Sequence, residues 1–168
     1  MIINILKYAL IFVVSVMLQV LVFNNVLIAK MISPFFYILF ILLLPFETPR
    51  SAMLVLAFVL GLSIDAFNNT LGVHAAASVL VAYLRPSLLS LISSRETLES
   101  TVEPRVANMS LQWFTGYTAF IVTIHHFTLF LLEAFTFSGF FFTLLRAGLS
   151  SVFTIILIVL SQFLMFRK

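Results

Sequence analysis

The chain has 168 residues, of which 62% are apolar and 9% charged, with a formal net charge of +3 and no cysteine. Soluble domains carry about 45–50% apolar and about 25% charged residues, so no water-soluble surface can be built from this composition. A mean hydropathy of +1.21 points to an integral membrane protein, and disorder, collagen-like repeats, disulfide scaffolds and thiolate metal sites are excluded.

A spanning helix needs about 20 apolar residues, with a range of roughly 17–25. Six segments are predicted to span, which makes an all-α bundle in a single transmembrane domain covering 1–168. The first covers about 6–29; no small-x-small cleavage pattern follows it, so it reads as a retained helix. The second covers about 32–46, with Pro34 in its first turn, where a missing N–H costs little. The third covers about 51–67. Both are short, and two short spans are preferred over a re-entrant pair buried by its neighbours. The fourth covers about 71–91, the fifth 111–137 and the sixth 140–166.

The turns between them are tight. Glu47-Thr48-Pro49-Arg50, Asn68-Asn69-Thr70 and Ser138-Gly139 offer left-handed backbone or a helix stop. Such short loops make sequential helices antiparallel neighbours. One connection is long, about 86–110. Within it Leu88, Leu91, Ile92 and Leu98 recur at helical spacing among serines, which predicts an amphipathic helix at the membrane surface. The alternative is a kinked continuation of the fourth span through Pro86.

Lysine and arginine set the orientation. Six spans put Lys7, Arg50, Arg85, Arg95, Arg105, Arg167 and Lys168 on one side, against Lys30 and Arg146. The expectation is a multi-pass protein with both termini cytoplasmic. No basic cluster with interleaved aromatics suggests nucleic acid as a partner; membrane lipid is the expected surroundings.

Ionisable groups at membrane depth need a reason. Asp65 ends the third span, with Gly61 and Ala57 before it at spacings of four on one helix face, where small residues allow close approach. His74 opens the fourth span two residues after Gly72. The short turn brings Asp65 and His74 to one level. One reading is a polar knot that receives a partner or small ligand. The other is a cap, with Asp65 on the N–H groups that open the fourth span and His74 as its hydrogen-bond mate. Glu133 and Arg146 flank the Ser138-Gly139 turn at similar depth and predict a buried ion pair between the last two spans. A proton or ion path through His126, Glu133 and Arg146 is the alternative. His125 and His126 point about 100° apart on a helix and cannot chelate one metal together. Gln19 and Gln162 read as interhelical hydrogen bonds, and Trp113 and Tyr117 as interfacial anchors. The zinc, nucleophile-elbow and phosphate-loop motifs are missing, so neither an enzyme nor a cofactor is expected.

The run Gly61-Leu-Ser-Ile-Asp65-Ala-Phe-Asn-Asn-Thr-Leu-Gly72-Val-His74-Ala75, followed by Tyr83-Leu84-Arg85, resembles the rod shape-determining MreD family. The motif covers about 25 residues, and size and span pattern resemble the family over the whole chain. The resemblance implies a bundle similar to the substrate-binding S components of energy-coupling-factor transporters. It implies a non-catalytic scaffold of the rod complex, or elongasome, in the bacterial cytoplasmic (inner) membrane. The partners implied are MreC, RodA with its penicillin-binding transpeptidase, and indirectly MreB, in support of lateral peptidoglycan synthesis and rod cell shape. Gly61, Asp65, Gly72, His74 and Arg85 are the motif or partner-binding candidates. The alternative is an S component of a vitamin transporter. Such subunits resemble this chain in size and fold, but carry an Ala-x-x-x-Ala pair in the first helix, and here that helix has only Ala9 and Ala29.

Overall fold

The computed structural model describes residues 2–25, 31–100, 103–135 and 139–165. Among them the regular elements are all helices: α1 (Ile2–Leu21), α2 (Leu39–Leu43), α3 (Arg50–Asn68), α4 (Val73–Ile92), α5 (Arg95–Ser100), α6 (Leu111–Ala134) and α7 (Phe140–Met165). Five stretches, Ile5–Asn25, Arg50–Asn68, Val73–Ile92, Leu111–Ala134 and Phe140–Leu164, are long and apolar enough to cross a membrane. The chain is thus an all-helical multi-pass membrane protein.

The long helices keep apolar side chains on both faces. Leu6, Leu10, Val55, Phe58, Leu160 and Phe163 point outward, where lipid solvates them, while Met53, Ala57, Leu60, Ile121 and Ile158 are buried in the core. Helices α3 and α4 pack as one antiparallel hairpin, α6 and α7 as a second, and α4 lies against α6.

The second predicted span departs most from expectation. Over 32–46 the chain is helical only in a 3-10 turn, Phe36–Ile38, and the short α2. It runs from the bundle end marked by Gln19, beside Pro34, to the end marked by Arg85, beside Leu44. Phe35 to Leu44 are all buried, and Tyr37, Ile38, Ile41, Leu42 and Leu43 have no exposed surface. Irregular backbone at membrane depth is tolerated only inside protein, where neighbours satisfy its N–H groups. Here the Ser33 N–H donates to Ser150 Oγ at 3.1 Å and the Phe35 N–H to Thr154 Oγ1 at 3.2 Å. The Tyr37 N–H donates to Gln19 Oε1 at 3.3 Å. The segment is a buried rod around which the long helices pack, not a lipid-facing helix.

Other boundaries shift less. Helix α1 ends at Leu21 and gives way to a 3-10 turn over Phe23–Asn25, short of the predicted 29. Residues 26–30, 136–138 and 166–168, with Lys30, Ser138, Arg167 and Lys168, lie outside the described residues. Helix α4 passes through Pro86 to Ile92, with Leu88 and Leu89 buried, so the continuation of the fourth span is the observed alternative, and the short α5 with exposed Arg95 and Glu99 follows it. Ser94 then caps α5, accepting the Thr97 N–H at 3.2 Å. Ser110 caps α6, accepting the Trp113 N–H at 3.1 Å.

Candidate functional site

The α3–α4 turn is built from residues whose backbone chemistry it requires. Asn69 ends α3 at φ 54°, and Gly72 precedes α4 at φ 85°; both are left-handed conformations, which Asn and Gly tolerate. Gly72 has no side chain with which to cap α4, and Asp65 caps it from the neighbouring helix. Its Oδ1 accepts the His74 N–H at 3.1 Å, its Oδ2 the Ala75 N–H at 2.9 Å, and the Thr70 hydroxyl donates to Oδ1 as well. Asp65 is 2% exposed, and a buried carboxylate held at a helix N-terminus is favoured by charge and by hydrogen bonding together. One turn earlier, a methyl group at Gly61 would lie 2.6 Å from the Ala75 nitrogen. The capping expectation for Asp65 therefore holds, as does the close approach read from Gly61. The expected bond between the two side chains does not form. The His74 ring meets Asn68 instead, with Nε2 3.3 Å from Asn68 Nδ2.

That contact ends a chain of amides along one wall of the bundle end. Gln19 Nε2 donates to the Pro34 carbonyl at 3.0 Å and to Asn24 Oδ1 at 2.9 Å. Asn24 Nδ2 donates to Asn68 Oδ1 at 2.6 Å. The direction of the chain makes Asn68 the donor to His74 Nε2, which assigns the proton to Nδ1. Nδ1 is buried and has no partner among the described residues. Gln19 is an interhelical bond, as expected; Gln162, also buried, has no partner among the described residues.

Facing the amide wall are Glu133 of α6 and Arg146 of α7. They pair as predicted, but at 3.8 Å and with side chains 44% and 33% exposed, so the pair is loose and half-open rather than buried. Arg146 Nη2 also donates to Ser33 Oγ at 3.3 Å, and the guanidinium lies 4.6 Å from the centre of the Phe130 ring. His74 of the first constellation and Glu133 and Arg146 of the second thus line one pocket of about 260 Å³, with Gln19, Asn24, Ser33, Asn68 and Thr70 in its polar lining. Asn68 was read from the sequence only as a turn residue, and Asn24 fell within the predicted first span. Their signal was two Asn pairs, 24-25 and 68-69, at the same end of neighbouring spans.

Beneath the pocket lies a buried aromatic and imidazole layer. The Tyr37 ring stacks on His74, 6.0 Å between centroids, and its hydroxyl is 2.7 Å from His125 Nε2. His126 uses Nδ1 on the Val122 carbonyl at 2.9 Å and Nε2 on Thr154 at 3.0 Å. With both His126 nitrogens engaged inside the core and the Phe130 ring beneath Arg146, no continuous polar path joins His126 to Glu133 and Arg146 among the described contacts.

At the opposite end Arg85 is buried, at 1% exposure. Its Nε donates to the Tyr117 hydroxyl at 2.7 Å, Nη2 to the Leu44 carbonyl, and Nη1 lies 3.5 Å from Met53 Sδ. Tyr117 in turn donates to the Leu42 carbonyl at 3.2 Å. The Arg85 cation thus sits on the Leu44 carbonyl just past α2, with Tyr117 on the Leu42 carbonyl, at the end where the helix dipole favours positive charge. Tyr117 belongs to this anchor and not to the membrane interface; Trp113 bonds Ser93 Oγ at 3.1 Å. Nearby, Glu103 receives Lys7 and Tyr8 from α1 and pairs with Arg105 at 2.8 Å. Burial pushes the Glu103 carboxyl up. The hydrogen bonds from Lys7 and Tyr8, with the charges of Arg105 and Lys7, outweigh it and hold the group below its ordinary value.

Comparison with protein-family models, curated proteins and solved structures gives no match.

Proposed function

We propose that this chain is an MreD-like membrane scaffold, a non-catalytic part of a rod complex that helps lateral wall synthesis. The observation that carries the reading is that four of the five motif residues act as one unit, while Arg85 anchors the opposite end of the bundle. Gly61 brings α3 against Ala75, Asp65 caps α4, Gly72 supplies the positive φ and His74 closes the amide wall, all within one hairpin end. Residues that resemble a family pattern cooperate here in shape rather than in chemistry, as expected of a surface that docks partners. With the buried segment over 33–44 as a further passage, the chain makes six crossings. Lys7, Arg85 and Arg105 then gather at one end, the cytoplasmic one, in the inner membrane. MreC is the direct partner on this reading, with RodA, its transpeptidase and MreB further along the assembly.

The pocket favours a second reading, an S component of an energy-coupling-factor transporter, whose missing Ala-x-x-x-Ala pair counts against it. Pull-down of the tagged full chain in mild detergent, read by mass spectrometry, separates the two. Enrichment of MreC, RodA or the transpeptidase over unrelated membrane proteins is the expected result. Enrichment of a transporter ATPase pair with its coupling protein would overturn the scaffold.

A further inference from the structure

The pocket at the Asp65 end has a charge arrangement that scaffolding does not explain, and the inference drawn from it does not rest on the scaffold reading. Arg146 carries five N–H donors, and among the described residues one of them is hydrogen-bonded, to Ser33 Oγ at 3.3 Å. Glu133 accepts no hydrogen bond among the described residues; its one charged neighbour is Arg146 at 3.8 Å. A closed charge-assisted pair lies at about 2.7–2.9 Å. The two charges therefore stand side by side with most of their hydrogen-bonding capacity free, and both border the same cavity. Phe130 supports the guanidinium from beneath, and the amide chain ending at His74 fixes the facing wall through bonds among its own members.

We infer that this pocket binds a small zwitterion, with its ammonium group on Glu133 and its phosphate or carboxylate on Arg146. The two site charges cancel, so a ligand with net charge would leave one of them unmet at a membrane boundary, whereas a dipolar ligand satisfies both. Oriented antiparallel to the Glu133–Arg146 pair, it adds two charge-assisted contacts and removes none. The volume of about 260 Å³ equals the share of roughly nine water molecules at about 30 Å³ each. That suits a molecule the size of glycerophosphoethanolamine or a small amino acid. The same chemistry could arrive free in solution or as the headgroup of phosphatidylethanolamine.

The test is thermal unfolding of the full chain in phosphatidylglycerol nanodiscs. Glycerophosphoethanolamine, a phosphodiester with no net charge, at about ten times its Kd should raise the midpoint by roughly 3–6 °C, saturably. Ethanolamine alone and phosphate alone should not. The double variant Glu133→Gln/Arg146→Gln, which removes both charges and strands neither, should lose the response. A rise with phosphatidylethanolamine in the disc, lost in the double variant, with none from the free probe assigns the headgroup as the source. If the double variant does not fold, broadening of the glycerophosphoethanolamine phosphorus resonance by the wild-type chain, reversed by glycine and not by ethanolamine, makes the decision in its place. No response to either source, an equal response to a half-ligand, or an equal response in the double variant overturns the site.

Discussion

Replacing Asp65 with alanine should remove the side-chain cap on α4. Two backbone N–H groups, those of His74 and Ala75, lose their acceptor at 3.1 and 2.9 Å, and the Thr70 hydroxyl loses its own. Hydrogen bonds to a charged group contribute about 1.5–3 kcal/mol each, and buried donors left without a partner cost about 1–3 kcal/mol. The carboxylate at a helix N-terminus adds about 0.3–1 kcal/mol. These terms overlap, so a loss of about 3–5 kcal/mol is expected for Asp65→Ala. Asp65→Asn keeps one acceptor oxygen and should lose about half as much. Unfolding of the full chain by titrating SDS into mild detergent, followed by far-ultraviolet circular dichroism, measures both. Ser63→Ala is the control, since its exposed hydroxyl bonds only the Val59 carbonyl of its own helix at 2.7 Å, and its change should stay within about 0.5 kcal/mol. If Asp65→Ala matched Ser63→Ala, the cap would be irrelevant to stability and the account of the hairpin would be wrong.

Gly61→Ala should cost about 1–3 kcal/mol by forcing α3 from α4, while Gly148→Ala, with open space around it, should be neutral or stabilise slightly; the reverse ranking in the same titration would contradict the packing. Arg85→Lys replaces a fork by a single point of charge that cannot hold both the Tyr117 hydroxyl and the Leu44 carbonyl, so a loss of about 1.5–3 kcal/mol is expected, and unchanged stability would show that the anchor does not bear on α2. Glu103 makes a pH prediction. Its folded carboxyl lies below the ordinary 4.5, so its contribution is complete above that value and is lost as pH falls through the lower folded one. Proteolysis of the loop between α5 and α6 should rise over that window in the wild type. Glu103→Gln should be cleaved readily at neutral pH as well, and equal curves for the two would refute the clasp.

The four lipid-crossing segments from α3 onward were legible because long apolar runs stop at turn residues whose backbone preferences are strong; Asn69 and Gly72 take the very conformations that make those residues good stops. Residues 32–46 were misread because an apolar run looks the same whether lipid or protein surrounds it. Nothing in Phe35 to Leu44 marks them as core, and only the polar partners on other helices, Gln19, Ser150 and Thr154, show how the irregular backbone survives. In the site, Asp65 was legible as a cap from its distance to the turn. Glu133 and Arg146 were found as a pair, but their exposure could not be, since it depends on where α7 sits beside Phe130. The amide wall escaped notice because asparagines near helix ends have an ordinary explanation as turn formers.

The buried segment also fixes an order of events in the cell. Ser33 and Phe35 find their hydrogen-bond acceptors on Ser150 and Thr154, near the middle of the last helix. A ribosome that has released only the first 140 residues has supplied neither. The five long helices can enter a bilayer one by one, each self-sufficient in its backbone bonds, but the stretch between the first two must wait for the last to arrive. Biogenesis of this chain is therefore completed from its C-terminal end. A premature stop within α7 should leave a full set of earlier helices around an unsettled centre, a product suited to membrane quality-control proteases rather than a shortened working protein.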